Sequence, residues 1–253
     1  PESIRKSTGW FRGMDKKWRF EIDDSKSRWI GVADGKEHTG KIEDVLVHPD
    51  LYEAYPEIRE TTVVWQVGKN VSGTSGKFLP SKGFYSHKVT VEARSESEAR
   101  DVLLHEIQHF IQDREKFAKG GSPALGLNKR GEAIYQEMSA PIKKEIAQVR
   151  ADIDDIAEQI KKAEAENDRE SVAALEERET EMWLALDKLR DELYNLPSKA
   201  SYEEYSRRAG EVEARDTAAR RDMDAKARRK RSPNLPSDAI IIWGNEEMEY
   251  SPE

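Results

Sequence analysis

The run Leu103-Leu104-His105-Glu106-Ile107-Gln108-His109-Phe110-Ile111 constrains this chain more than any other stretch. Its apolar residues fall at helical spacing, and Val102, Leu103 and Leu104 before the motif and Phe110 and Ile111 after it mark a buried helix. Such a helix must provide partners for His105, Glu106 and His109, because unpaired polar groups in an interior are costly. Residues four apart sit one turn apart on one helical face, so the two imidazoles can converge on one point. This is the spacing at which two ring nitrogens hold one zinc ion and the intervening Glu reaches a reacting water. The chain has five histidines, and two are here. Chance would produce the motif about once per hundred chains of this composition. A solvated face with Glu106 paired to an arginine would spell the same letters, but solvated faces lack these apolar flanks.

Composition narrows the setting. The 253 residues suffice for one core of moderate size plus an extension. Charged residues equal hydrophobic ones at 36% each, which calls for a long solvated helix somewhere in the chain. A net charge of -8 disfavours a general nucleic-acid or anionic-membrane binder. With no cysteine, disulfides and thiolate metal sites are excluded, and a zinc site must use His and carboxylate. No apolar run reaches membrane-spanning length and the N-terminus lacks a signal-like apolar core, so neither a membrane span nor an export signal is expected. The chain starts at Pro1, which reads as a domain excised from a longer polypeptide or a processed product.

Along the chain, Gly9 to Arg12 and Lys17 to Ile22 read as a β-hairpin around Gly13-Met14-Asp15, its aromatics forming the packed face in preference to a ligand platform. A short helix is expected from His48 to Tyr55, stopped at Pro56. Strands are expected over residues 61–67 and 87–93, with residues 68–83 as a Gly/Ser-rich loop or hairpin tip. Ser95 and Glu98 are spaced as a capping box for the motif helix, which should end at Gly120-Gly121. Ile142, Ile146, Val149, Ile153, Ile156 and Ile160, then Val172, Leu175, Met182, Leu186, Leu189, Leu193 and Leu196, alternate spacings of three and four apart from a break at Glu179. With the polar turn of residues 166–171 between them, they predict an antiparallel hairpin of coiled-coil type, a spacer arm or a docking arm for a partner protein. A helix follows from about Ser201 to Arg221. The basic residues 220–231 read as a solvated or disordered linker in preference to a phosphate-binding segment, and residues 239–243 as a strand returning to the sheet. The resulting organisation is a discontinuous body, 1–140 with 198–253, and an inserted hairpin, 141–197.

Catalytic zinc takes three protein ligands and keeps one position open. His109 is the last histidine, so the third ligand falls to a carboxylate. Glu211 and Glu132 both stand in helical context beside glycine. Ala214, one turn after Glu211, would let its helix approach closely, whereas Tyr135 after Glu132 would hold helices apart. Glu211 is therefore preferred, with Glu213 and Glu132 as alternatives. Tyr202, Tyr205 and Arg215 stand open as donors to an oxyanion.

The segments Gly9 to Gly13, Trp18 to Ile22, Val45 to Pro56, Leu103 to Gln112, Phe117 to Gly121 and Gly210 to Arg215 together resemble the zincin-like large polyvalent protein-associated domains of phages and other mobile elements. The step from Glu211 to Ala214 resembles the third-ligand helix of gluzincin metallopeptidases. The resemblance covers residues 9–125 and 201–243 and skips the helical hairpin. It implies an α+β zincin-like fold: a small sheet, an active-site helix and a ligand helix. The implied function is a zinc metallopeptidase of a phage or prophage polyprotein acting on a peptide or protein substrate. His105, His109 and Glu211 would be its metal ligands and Glu106 its general base. The alternative is a non-catalytic, metal-stabilised scaffold whose hairpin binds a partner protein. Nucleic-acid binding through the basic residues 220–231 is a weaker third reading given the acidic net charge, no membrane partner is expected, and the implied location is the host-cell cytoplasm or the virion.

Overall fold

The computed structural model describes residues 2–80, 87–121 and 128–243. In chain order its elements are α1 (Glu2–Thr8), β1 (Trp10–Arg12), β2 (Trp18–Phe20), β3 (Arg28–Trp29), β4 (Glu37–Lys41), β5 (Leu46–Val47), α2 (Pro49–Ala54), β6 (Thr62–Val67), β7 (Ser75–Leu79), β8 (Lys88–Ala93), α3 (Glu96–Glu115), α4 (Lys129–Ala165), α5 (Arg169–Ser206), α6 (Ala209–Ala219) and α7 (Ala225–Lys230). This is the expected mixture of α and β. The chain divides into two compact units, Pro1–Gly121 with Arg207–Glu253, and Ser122–Ser206.

In the first unit a four-stranded sheet has the order β4-β6-β8-β7, with β6 and β8 parallel and the outer pairs antiparallel. Strict alternation in β6 and β8 sends Val63, Trp65 and Val67, and Val89, Val91 and Ala93, to one face. The motif helix α3 covers that face with Ala99, Leu103, Ile107 and Phe110, spaced by three and four. Each large side chain so buried contributes about 1.5–3 kcal/mol. Leu46, Leu51 and Ile58 close the core from the side. Ser95 caps α3, its hydroxyl accepting from the Glu98 amide. The helix ends earlier than expected, at Glu115, where Lys116 takes a left-handed conformation and the Phe117 amide turns back to the Gln112 carbonyl. That turn releases Phe117 and Ala118 into the core before the two glycines are reached.

Three other expectations for this unit are corrected. The loop expected over 68–83 contains strand β7, because Gly76, Lys77 and Phe78 pair with β8; residues 81–83 lie outside the described residues. The strand expected at 239–243 does not join the sheet: Ile240 makes an isolated bridge to Arg208, and the Ile242 carbonyl accepts from the Lys119 amide. The basic linker is ordered instead. Arg220 and Arg228 are buried against Glu21 and Asp24, and α7 (Ala225–Lys230) forms around Arg228.

The second unit is a pair of long antiparallel helices with its own core. Ile142, Ile146, Val149 and Ile153 of α4 pack with Leu186 and Leu196 of α5, as the seam predicts. Both helices overrun the boundaries expected at 141 and 197, which stand at prolines; Pro141 and Pro197 lie inside α4 and α5. Each proline removes one backbone bond, and the apolar seam beside it, running up to Leu196 before Pro197 and on both sides of Pro141, offsets that loss. The polar turn is also shorter than expected, with Asn167 left-handed and Asp168 receiving the Ser171 amide and hydroxyl.

Candidate metal centre

The centre is built where α3 meets α6. His105 and His109 project from α3 away from the sheet, one turn apart. Their Nε2 atoms lie 3.1 Å from each other. Glu211, in the first turn of α6, sets one carboxylate oxygen 3.3 Å from His109 Nε2 and the other 3.4 Å from His105 Nε2. Their ligating atoms all fall within 4.8 Å of one another, so the three side chains form a group that could hold a metal ion. Neighbouring corners of a tetrahedron with bonds of roughly 2.0–2.1 Å are about 3.3 Å apart, and the three separations match that figure. Glu211 is wholly buried, while the two histidine side chains keep 13–19% of their surface, so the group opens to solvent on the imidazole side.

Glycine makes the approach of α6 to the loop after α3 possible. A Cβ on Gly210 would stand 2.1 Å from the Gly120 amide nitrogen, and one on Gly120 would stand 2.2 Å from the Glu211 carboxylate. The Gly121 amide donates to Glu211 Oε1 at 2.8 Å. The close packing was expected at Ala214. Ala214 is indeed buried, but the tightest contact is Gly210 on Gly120.

Gln112, which the sequence motif does not single out, fixes the orientation of one of these donors. Gln112 is buried three residues after His109, and its Oε1 lies 2.9 Å from His109 Nδ1. The Gln112 amide nitrogen is committed elsewhere, to the Gly210 carbonyl at 2.9 Å and Glu213 at 3.2 Å. Only its oxygen therefore faces the imidazole, so His109 Nδ1 must carry the proton and Nε2 must present a lone pair to the group. Burial also lowers the pKa of His109, against the opposing pull of Glu211, which keeps the ring neutral. A neutral imidazole with its far nitrogen anchored, beside a buried carboxylate, is the donor chemistry a divalent metal requires.

Of the alternative third carboxylates, Glu213 turns away from the group to pair with Arg19, which also pairs with Asp15 and lies 4.0 Å over the Phe117 ring. Its place is one bond further out, holding Gln112. Glu132 belongs to the second unit, where it is exposed and accepts from Gln136.

Glu106 is buried beside the edge strand β7, accepting the Phe78 amide and lying against Gly76, where a Cβ would meet its carboxylate at 2.5 Å. Desolvation pushes its pKa up to about 7; His105 lowers it and Glu211 raises it further. Tyr202 and Tyr205 lie on α5, in the second unit. Arg215 is on α6, four residues after Glu211 and on the same face, and its charge helps to hold the pKa of His109 down.

Compared with known families, residues 1–29 match a model described as large polyvalent protein associated domain 23. That segment spans α1 to β3 and leaves out His105, Glu106, His109 and Glu211. No curated protein and no solved structure matches the chain. The N-terminal segment of this chain is thus similar to a domain associated with large polyvalent proteins.

Proposed function

We propose that the first unit is a zinc metallopeptidase module of a phage or prophage polyprotein, with His105, His109 and Glu211 as ligands and Glu106 as general base. The convergence of these three side chains, with His109 oriented by Gln112, is the observation that carries the reading. Zinc bound there supplies Lewis acidity toward a carbonyl oxygen and makes a nearby water more acidic. The rest is the work of the chain. Glu106 follows His105 directly and is not one of the three converging groups, so its carboxylate is free to take a proton from the attacking water and pass it to the departing amine. Its burial beside β7 keeps bulk water from competing for that proton. Among the described residues strand β7 pairs only with β8, and its other edge suits an extended peptide laid along it. Arg215, on the face of α6 that bears Glu211, is the candidate donor to the oxyanion.

A second reading, a metal-stabilised scaffold, draws on the exposed apolar side chains of α5, where Trp183 and Leu184 are 45% and 59% exposed. One experiment separates the two. Digestion of a diverse peptide pool by the zinc-loaded chain should fall by ~10²–10⁴-fold in Glu106→Gln while zinc and melting temperature stay unchanged. Equal cleavage by wild type and Glu106→Gln would refute the mechanism, and no cleavage of the pool by wild type would favour the scaffold.

A further inference from the structure

Hairpin β1–β2 is built the opposite way from the sequence expectation. Both strands follow the pattern exposed-buried-exposed, with Phe11 and Arg19 inward. Register pairs Trp10 with Phe20 and Arg12 with Trp18, so the outward face carries three aromatic rings and an arginine. Trp10, Trp18 and Phe20 are 47%, 40% and 48% exposed. The Trp10 and Phe20 rings are 5.9 Å apart, and the Arg12 guanidinium lies 5.1 Å from the Trp18 ring. These rings line a cavity of about 260 Å³ together with Tyr55, Ile111 and Leu235. A solvated strand face is normally polar, so an aromatic one points to a ligand.

A basic surface adjoins it. Lys6 of α1, which also pairs with Glu2 at 3.6 Å, and Lys226, Arg229 and Lys230 of α7 line an open recess. The last three recur at i, i+3 and i+4 and so share one face. Phe20 and Arg229 border a common hollow, which makes the aromatic and basic surfaces continuous. The helix presenting these cations is held from behind. Arg5 donates to the carbonyls of Arg228 and Arg229 at 3.0 and 2.7 Å, and Arg220 to those of Arg231 and Ser232 at 3.0 and 2.8 Å. The acids along the cavity are engaged: Glu21 and Asp24 with Arg220 and Arg228, Asp216 with Arg220, Glu213 with Arg19, and Glu115 with Tyr55. The net charge of -8 is therefore no guide to this face.

We infer that the outer face of β1–β2, together with Lys6, Lys226, Arg229 and Lys230, binds single-stranded DNA, the bases stacking on the rings and the phosphates following the cations. Every base offers a π-face to an exposed ring, and a fixed row of cations supplies the sequence-independent attraction. A duplex hides its bases from such a platform. None of the eight side chains offers an acceptor for the proton of a 2′-hydroxyl, so the surface gains little from RNA and DNA suffices.

The test is fluorescence anisotropy of a labelled oligo-dT of about 20 nucleotides with the full chain. Wild type should bind with a slope of log affinity on log salt no steeper than about -3, from four phosphate contacts. Binding should quench the tryptophan emission of the unmodified chain. Lys226→Glu/Arg229→Glu/Lys230→Glu should abolish binding. Trp10→Ala and Phe20→Ala should each weaken it about tenfold or more, with circular dichroism unchanged. Because the quenching readout needs no substitution, it stands even if a ring variant misfolds. No binding by wild type at low salt would overturn the inference. So would duplex DNA binding as tightly, an RNA of matched sequence binding ten times better, full binding by folded Trp10→Ala and Phe20→Ala, or phosphatidylserine vesicles binding where the oligonucleotide does not.

Discussion

Gln112 shows how a single side chain can decide the chemistry of a neighbour. Its amide nitrogen is taken by Gly210 and Glu213, which leaves only the oxygen for His109 Nδ1. Gln112→Leu removes that anchor without touching a ligating atom, and zinc affinity should fall ~10–100-fold in a competition titration. Glu132→Gln should leave affinity unchanged. Gly210→Ala puts a methyl group 2.1 Å from the Gly120 amide nitrogen and should cost about 1–3 kcal/mol of unfolding free energy while weakening zinc. At this scale much was legible. His105, Glu106 and His109 announce themselves by spacing, and Glu211 by the lack of any histidine after His109 and by small residues in its own helix. Gln112 does not, although it stands at helical spacing from His109, because its role depends on where Gly210 and Glu213 lie in space. Those partners are about a hundred residues away in sequence.

Among the elements, the strands β6 and β8, the short α2 and the heptad seam followed from alternation and periodicity, which are local properties. The errors share one cause: a tertiary partner outvoted a local signal. Strand β7 looks like a Gly/Ser loop but is paired by β8. Pro141 and Pro197 look like helix ends but are carried by the apolar seam. The arginines after Ala219 look like a solvated run, yet Arg228 is 4% exposed and donates to Glu21 at 3.1 Å and Asp24 at 2.7 Å. Arg228→Ala would leave those buried carboxylates short of a cation, and chemical denaturation should show a loss of about 3–5 kcal/mol. A truly solvated linker residue would give less than about 0.5 kcal/mol.

The molecule as a whole is two compact units with separate hydrophobic cores, one centred on the sheet and α3 and one on the seam of α4 and α5. Among the described residues no helix is long and apolar enough to cross a membrane. All three converging side chains belong to the first unit, so replacing residues 142–196 by a short Gly/Ser linker should leave zinc affinity as it is; loss of zinc on that exchange would show that the first unit depends on the second. The account rests on a metal held by two turns of α3 and the start of α6. Elemental analysis of the purified chain after zinc loading and removal of excess metal tests this most directly. It should find one zinc per wild-type chain, full occupancy in Glu213→Gln and Glu106→Gln, and none retained in His105→Ala or Glu211→Gln. Zinc absent from wild type, or retained at full stoichiometry in Glu211→Gln, would contradict it.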